Sequence, residues 1–344
     1  MKPKVALIEF NSYHDECLLS IAHYLNTHGY QVEVFVNSKL KNKLEHLASD
    51  FSVHYLNLSK SKYLGYVQLF CHLRFRGFKI SYFNTAEHKK LLKFFKYFRI
   101  KGVKNYGTLH NAYKLEDDPI QLELHSYFES YFVLSDYIKS NISYSQLLPV
   151  YSLYTIKKPN FVVDKTVIKP KGEYWIIVPG SLEFNRRDYR SLAQLDIPDN
   201  FRIILLGSKN KSHGNEIYNL LSNHKDFRKF IFFDQFVSND KFYSYLNQAD
   251  YIMPLVHKNE HSFEHFFKYK ITGSFNLAFS LKKVLLMDSS FKLYEDFVDS
   301  SVFYDSDNLN SIWTAINKNA NSNFYTNPKW NLAYQAKLFC DKIN

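Results

Sequence analysis

The sequence has few cysteines and no pattern among them. Only three occur in 344 residues, Cys17, Cys71 and Cys340, and their spacing matches neither a disulfide framework nor a zinc site. This scarcity excludes a disulfide-stapled or zinc-stabilised domain and favours a reducing compartment.

Long apolar segments are also missing. The apolar run near the start covers only residues 5–8, which is too short for the core of a signal peptide. No stretch approaches the roughly 20 apolar residues that cross a bilayer. We therefore expect a cytoplasmic protein that is either free or peripheral on the inner face of the cytoplasmic membrane.

Several binding signatures are absent. Neither half of the chain has a G-x-G-x-x-G fingerprint or a Walker A sequence, which argues against a dehydrogenase or a P-loop enzyme. No helix-turn-helix, zinc-finger or RNP signature is present, so nucleic acid is not the expected partner. No short-period repeat or low-complexity tract occurs either.

The composition is otherwise that of a globular protein with a positive charge. Apolar residues make up 46% and charged residues 22%, which excludes collagen-like, coiled-coil and wholly disordered chains. Lys and Arg number 44 against 33 Asp and Glu, a formal charge of +11. This excess indicates an anionic partner such as a membrane surface or phosphate groups. The length favours two domains.

Short apolar runs of strand type alternate with helical stretches, a pattern typical of parallel sheets covered by helices. Strands are predicted at residues 5–8, 32–36, 51–56, 78–83, 103–109, 131–134, 174–178, 201–206, 229–233, 251–255 and 283–287. One helix is predicted to follow the strand at 51–56 and to end at about residue 75. The other helices are predicted at residues 18–25, 87–99, 188–195, 214–223, 239–248, 273–281 and 331–343.

The two series predict an α/β protein with two Rossmann-like domains facing across a cleft. The stretch 143–171 contains Pro149, Pro159 and Pro170 and is predicted to join them. We assign residues 1–150 to the N-terminal domain and 151–328 to the C-terminal domain, and we expect the helix in 329–344 to pack back on the first. Ligands of such sheets bind at the carboxyl ends of the strands.

The order and spacing of several segments resemble GT-B glycosyltransferases. Segments similar to the C-terminal, donor-binding domain of that fold are VPGSLEFNRRDYRSL (178–192), FRIILLGSKN (201–210), ADYIMPLV (249–256) and YKITGSFNLAFSLKKVLLMD (269–288). Segments similar to its N-terminal, acceptor-binding domain are residues 7–36, 107–113 and 131–142. The resemblance covers most of the chain.

The resemblance implies a nucleotide-diphosphate sugar as donor and a saccharide or lipid-linked acceptor in surface polysaccharide or lipopolysaccharide assembly. It implies no cofactor and no bound metal ion. Many retaining enzymes of glycosyltransferase family 4 carry two glutamates separated by seven residues, whereas Tyr269 and Leu277 stand at those positions here. We therefore favour an inverting outcome. The alternative is a non-catalytic nucleotide- or carbohydrate-binding protein on the same fold.

The segment before the helix at 273–281 predicts a diphosphate site. Free backbone N–H groups, the helix dipole and flanking lysines attract anions, and glycine permits close approach. The candidate residues are Lys268, Lys270, Thr272, Gly273 and Ser274. The alternative is a helix start capped by Thr272 or Ser274, with solvated lysines.

The loop after the strand at 174–178 is the second donor candidate. Gly180 and Ser181 can approach a nucleotide closely, and Arg186 or Arg187 can neutralise phosphate. The sequence does not choose between the arginines. The alternative is an exposed basic helix start in which Asp188 serves the helix dipole.

His14 is the candidate catalytic base, because several inverting enzymes of this fold place a histidine at the start of the first helix. A neutral imidazole can accept a proton near neutral pH. Asp15 is the second candidate, although Ser12-x-x-Asp15 also reads as a capping box, which would make it structural. A carboxylate that orients the imidazole of His14 is also expected, and the candidates are Asp117 and Asp118.

His110 and Asn111 follow the strand at 103–109 and are candidates for acceptor binding, or are structural groups at a strand end. Glu264 is a candidate for a sugar-hydroxyl contact of the donor. Glu264 belongs to a local cluster with Glu260, His261 and His265. The spacing of these four residues is also compatible with a metal site or with a solvated helix face.

Residues 88–99 read HKKLLKFFKYFR, with apolar side chains on one helical stripe and cations elsewhere. Such a helix suits an anionic membrane surface. The alternative is that the stripe packs on the sheet and the lysines are solvated.

Overall fold

A computed structural model describes residues 2–58, 62–98, 100–143 and 148–343, in two compact units. The first unit comprises Met1–Pro159 and Pro328–Asn344, and the second comprises Asn160–Asn327. The chain enters the second unit nine residues later than the expected limit at 150. The reason is a further short strand, Val150–Ser152, which pairs within the first sheet.

The first unit is built on a parallel sheet of seven strands. Its strands are β1 (Lys4–Glu9), β2 (Gln31–Asn37), β3 (Ser52–Leu56), β4 (Phe78–Phe83), β5 (Lys104–Leu109), β6 (Ser130–Val133) and β7 (Val150–Ser152), in the spatial order β3-β2-β1-β4-β5-β6-β7. Strand β1 lies between β2 and β4, and its residues 5–9 are buried, as an apolar run in the middle of a covered sheet must be.

Helices cover this sheet. They are α1 (Leu18–Thr27), α2 (Glu45–Ala48), α3 (Lys62–Phe75), α4 (Lys89–Tyr97), α5 (Lys114–Asp117), α6 (Pro119–Leu124), α7 (Asp136–Ser140) and the C-terminal α13 (Leu332–Cys340). Helix α13 packs on α1, where the rings of Tyr24 and Phe339 lie 5.9 Å apart. The end of the chain therefore belongs to the first unit.

The second unit contains a parallel sheet of six strands. They are β8 (Tyr174–Pro179), β9 (Phe201–Ser208), β10 (Phe230–Phe233), β11 (Tyr251–Ile252), β12 (Val284–Asp288) and β13 (Ser301–Tyr304), in the order β10-β9-β8-β11-β12-β13. The helices are α8 (Gly214–Ser222), α9 (Asn239–Gln248), α10 (Gly273–Leu281), α11 (Glu295–Val298) and α12 (Ser311–Lys318). A π-helical turn at His265–Tyr269 precedes α10.

Two predicted elements were wrong, and several elements were missed. The missed strands are β7 and β13, and the missed helices are α2, α5, α6, α7, α11 and α12. Residues 188–195 form only the 3₁₀ turn Ser191–Gln194 rather than a helix. The strand predicted at 251–255 ends at Ile252, because Pro254 follows and Leu255 has a φ of +54°, which a strand cannot accommodate.

The basic helix predicted at 88–99 is α4, and its apolar stripe packs into the first unit. Leu91, Phe94 and Phe95 are buried against the sheet side, while its lysines are exposed. Arg99 of the predicted helix lies outside the described residues. In the part of the chain that the structure describes, no helix is both long and apolar enough to cross a membrane.

Candidate functional site

In the first unit, the loops after β1 and β4 meet around a buried carboxylate, Glu9. Its side chain is fully buried and accepts three hydrogen bonds: from the backbone N–H of Asn11 at 2.7 Å, from Asn84 Nδ2 at 2.7 Å and from Thr85 Oγ1 at 2.6 Å. The two carboxylate oxygens thereby tie together loops that are far apart in sequence. Sequence reasoning missed Glu9, Asn84 and Thr85.

The pKa of Glu9 reflects this burial. Loss of water around the carboxylate raises the pKa from 4.5 to about 7, although the hydrogen bonds from Thr85, Asn11 and Asn84 oppose the rise. A carboxyl group with a pKa this close to neutrality exchanges its proton in the ordinary working range of an enzyme.

Asn84 links Glu9 to the predicted base. Its Nδ2 also donates to the backbone carbonyl of His14 at 2.8 Å. His14 precedes the 3₁₀ turn Asp15–Cys17 and has a left-handed backbone, with φ of 66°. This conformation is uncommon for a residue with a side chain, and the bond from Asn84 helps to hold it.

His14 lies against His110. Their rings are stacked, with centroids 3.6 Å apart and planes inclined by 14°. His110 Nε2 lies 2.8 Å from the backbone oxygen of Asn84, so Nε2 must carry the hydrogen and donate it. Asn84 therefore contacts both His14 and His110. These two histidines come from the loops after β1 and β5.

Two of the carboxylates proposed around His14, Asp15 and Asp118, are engaged with other groups. Asp15 pairs with Lys43 at 3.2 Å and makes no capping bond, so the capping-box interpretation was wrong. Asp118 caps α6 by accepting from the N–H groups of Ile120 and Gln121. The carboxylate beside the His14 ring is Glu16, whose Oε1 lies 3.6 Å from Nδ1.

Asn111 follows His110 and is partly buried. Its Oδ1 is shielded from solvent and makes no hydrogen bond within the described ranges. A buried ion pair lies in the same region, because Glu87 Oε2 and Lys114 Nζ are 3.0 Å apart. Burial and the charges of Glu9 and Glu87 raise the pKa of Tyr13, whose ring packs edge-on to His14.

In the second unit, a pocket opens where β8 ends and α10 begins. It encloses about 170 Å³, several times the roughly 30 Å³ that a water molecule occupies. Seven of the sequence-predicted donor residues line it: Gly180, Ser181, Arg186, Arg187, Thr272, Gly273 and Ser274. Apolar side chains that include Val256, Phe266 and Leu277 complete the wall.

The start of α10 presents its backbone N–H groups at this pocket. Thr272 is the N-cap, and its hydroxyl accepts from the N–H of Phe275 at 3.3 Å. Gly273 is the first helical residue, and a side chain added there would meet no atom within 4 Å. Ser274 is buried at the second position. The helix start therefore offers an open, positively polarised surface to an anion.

Arg187 is the arginine fixed in the pocket. Its guanidinium donates to the carbonyls of Ser181 at 2.8 Å and Pro179 at 2.7 Å, and lies 3.3 Å from Ser274 Oγ. It lies over Gly180, whose φ of +99° suits glycine and where a Cβ would approach the guanidinium to 3.3 Å. Arg186 is largely exposed and pairs loosely with Glu183 at 3.9 Å.

The remaining predicted donor residues are not among those that line the pocket. Lys268 pairs with the exposed Glu264, with 2.9 Å between Nζ and Oε2. Lys270 lies two residues before the N-cap, in extended backbone after the π-helical turn. In this structure Lys268 and Glu264 therefore serve as partners of each other.

A buried histidine that sequence reasoning missed supports the pocket wall. His257 Nδ1 lies 2.8 Å from Asp188 Oδ2, and its Nε2 lies 2.7 Å from the hydroxyl of Tyr304. Burial raises the pKa of Asp188, but the contact with His257 outweighs it and holds that pKa below its usual value. The chain from Asp188 to Tyr304 ties the residues beside Arg187 to those beside Val256.

One cluster in the described ranges has the composition of a metal site, and its residues belong to β2, β3 and α3 of the first unit. Glu33, His54 and His72 place potential ligand atoms within 4.8 Å of one another. Arg76 Nη1 lies 3.0 Å from Glu33 Oε2 and 2.9 Å from His72 Nδ1, so a guanidinium provides the positive charge there.

No protein-family model matches this sequence, and no curated protein matches it. Solved structures do. Sucrose-phosphate synthase from Thermosynechococcus elongatus is 12% identical with a TM-score of 0.59, covering 99% of this chain and 94% of that one. A glycosyltransferase from Rickettsia africae is 11% identical with a TM-score of 0.60, covering 100% and 94%.

Anabaena HepE, solved in complex with UDP-glucose, is 13% identical with a TM-score of 0.58, covering 99% of this chain and 95% of that one. These likenesses show the fold, which is of the GT-B type with a Rossmann-like sheet in each unit.

Proposed function

We propose that this protein is a glycosyltransferase that moves a sugar from a nucleotide-diphosphate donor to a saccharide or lipid-linked acceptor. The observation that carries the proposal is the pocket of the second unit, where the start of α10, Ser274 and Arg187 converge. Neutral sugars alone do not require such a concentration of positive potential, whereas a diphosphate does. HepE, with the same fold, holds UDP-glucose.

In the proposed reaction the bond between the anomeric carbon and the diphosphate breaks, and the acceptor oxygen forms the new glycosidic bond. The diphosphate leaves with the bonding electrons. The N–H groups of α10 and the Arg187 guanidinium stabilise the charge that develops on it. These groups supply the stabilisation without a metal ion, so we propose metal-independent transfer.

The acceptor hydroxyl must lose its proton. We propose that His14 takes it, with Asp15 the weaker candidate because Lys43 already engages that carboxylate. His110 and Asn111 would bind the acceptor beside the base. Attack by a deprotonated hydroxyl on the face opposite the diphosphate gives inversion, which we propose in place of retention.

We further propose that the acceptor belongs to surface polysaccharide or lipopolysaccharide assembly and that the protein works peripherally on the inner face of the cytoplasmic membrane. The charge distribution supports this. Residues 51–110 contain twelve Lys and Arg and one acid, the buried Glu87, so this stretch carries +11, as much as the whole chain. Anionic lipid attracts such a concentration of cations.

Exposed apolar side chains on α3 lie in the same stretch of the chain as exposed lysines on α4. Leu64, Val67 and Phe75 are exposed along one side of α3, and Lys89, Lys90 and Lys93 are exposed on α4. We call these six residues the α3–α4 surface. Rings of Tyr63 and Tyr97 join the two helices, with centroids 6.1 Å apart. Apolar side chains beside cations suit a bilayer better than they suit nucleic acid.

Transfer is tested with UDP-glucose as the first probe donor among nucleotide sugars. We expect slow release of UDP and glucose in the absence of acceptor. His14→Ala should lower turnover about 10²–10⁴-fold while UDP affinity stays within a few-fold, since the pocket lies in the other unit. Binding of every nucleotide sugar in a panel without any turnover would instead support a non-catalytic binding protein.

Membrane association is tested with vesicles of phosphatidylglycerol and phosphatidylcholine against pure phosphatidylcholine. Binding should require the anionic lipid and fall with salt. Leu64→Ser with Phe75→Ser should weaken it. The matched control is Ile168→Ser with Phe236→Ser, because those side chains are 74% and 73% exposed, against 67% and 74% for Leu64 and Phe75. Equal loss in both pairs would contradict the α3–α4 surface.

A further inference from the structure

The network under His14 and His110 is built around the carboxyl group of Glu9. Glu9 accepts from the Asn84 side chain, whose Nδ2 also donates to the backbone carbonyl of His14. The backbone carbonyl of Asn84 accepts from His110 Nε2. Every link is 2.7 or 2.8 Å long. Asn84 is completely buried.

We propose that Glu9 is a positioning residue that sets the orientation of the two stacked imidazoles. The role in catalysis rests on the proposed function, in which His14 is the base. Glu9 does not touch substrate, because its side chain is fully buried. It acts through Asn84, whose amide it fixes with Nδ2 turned toward the His14 carbonyl.

The chemistry of the partners explains a carboxylate at this position. Asn11 N and Asn84 Nδ2 can only donate to Glu9, and the Thr85 hydroxyl is placed to donate as well. In its ionised form, which prevails above about pH 7, the carboxylate only accepts, and its two oxygens serve all three donors. A glutamine of the same shape would turn an NH₂ group toward at least one of these donors. At the Oε2 position that group opposes Asn84 Nδ2, and at the Oε1 position it opposes the backbone N–H of Asn11, in the loop that carries His14. Either orientation therefore disturbs a contact that holds His14.

The arrangement also fixes the tautomer of His110. The backbone carbonyl oxygen of Asn84 accepts from His110, so Nε2 of that ring carries a hydrogen. The Asn84 amide holds the backbone of His14, and the His14 ring stacks on that of His110 with centroids 3.6 Å apart, so a change in the orientation of the amide reaches His110 through the stacked ring of His14. A positioning role thus predicts coupled changes at His14 and His110.

The test is Glu9→Gln, read by long-range ¹H–¹⁵N spectra of the imidazoles, with signals assigned through His14→Ala and His110→Ala. In the wild type, His110 should show the Nε2–H tautomer. In Glu9→Gln, the signals of both His14 and His110 should shift or broaden. Turnover should fall roughly ten- to hundredfold through kcat, the range for misplaced catalytic groups, with UDP affinity unchanged.

The matched control is Glu33→Gln. Glu33 is also a buried carboxylate of this sheet, but its partners are His54 and Arg76. This variant should leave the signals of His14 and His110 as in the wild type. Glu9→Asp keeps a carboxyl group at this position on a side chain that is shorter by one methylene, so we expect smaller changes than in Glu9→Gln. If Glu9→Gln does not fold, the spectra of Glu9→Asp are used for the test.

Wild-type imidazole signals in a folded Glu9 variant would overturn the proposal, and so would an Nδ1–H tautomer of His110 in the wild type. The spectra need no substrate. Shifted signals in a protein that transfers no sugar would therefore refute the proposed function and leave the positioning role standing.

Discussion

Burial of Glu9 should make the stability of the first unit depend on pH. The pKa of this carboxyl is raised from 4.5 to about 7 in the folded protein, so folding favours its protonated form. Its contribution to the free energy of unfolding is therefore fully present below about pH 4.5 and is lost as the pH rises through about 7. Glu9→Gln removes this titration. All other titrating groups are the same in the two proteins, so their contributions cancel in the comparison.

The size of the effect follows from the two pKa values. Each tenfold difference in proton affinity is worth about 1.4 kcal/mol, so the free energy of unfolding of the wild type, minus that of Glu9→Gln, should fall by about 2.5 kcal/mol between pH 5 and pH 8. Full burial of the side chain means that solvent screening does not reduce this figure.

Urea unfolding at several pH values provides the assay, with tryptophan fluorescence as the signal. Trp330 is buried in the first unit, whereas Trp175 and Trp313 belong to the second. A background with Trp175→Phe and Trp313→Phe therefore reports on the first unit alone. A constant difference between wild type and Glu9→Gln from pH 5 to pH 8 would refute the reasoning, because it would mean that Glu9 titrates as an exposed carboxyl does.

Three further outcomes concern the second unit. Arg187→Ala should weaken UDP binding about 10- to 100-fold by calorimetry, whereas Arg186→Ala should change it only a few-fold; the reverse order would assign the phosphate to Arg186. Gly180→Ala should lower the free energy of unfolding by about 1–3 kcal/mol, since φ is +99° there, and an unchanged urea midpoint would contradict that strain. Asp188→Asn should cost about 1–3 kcal/mol by weakening the contact with His257, with Asp199→Asn, on an exposed aspartate, as the control that should show no loss.

Much of the fold could be predicted from the sequence because its signals are local. A buried parallel strand must be a short apolar run, and a helix that covers it must carry an apolar stripe, so the alternation itself predicts two parallel sheets. The start of α10 was also predictable, because Thr272 and Gly273 act on backbone groups only a few residues away. Strand β7 escaped because it follows Pro149, in the proline-containing segment that was predicted to join the domains. Strand β13 escaped because its apolar run covers only residues 302–304 between polar neighbours.

The environment of the candidate base was decided by tertiary structure. Glu9 and Asn84 are 75 residues apart, and nothing near Glu9 in the sequence indicates that its carboxylate will be buried against an amide from another strand end. The same holds for the two arginines. Arg186 and Arg187 are neighbours of one type, but only Arg187 meets carbonyls that the turn at Gly180 directs toward it. Residue type and spacing limit which hydrogen bonds a side chain can form, whereas its actual partners depend on which strand ends the sheet order places side by side.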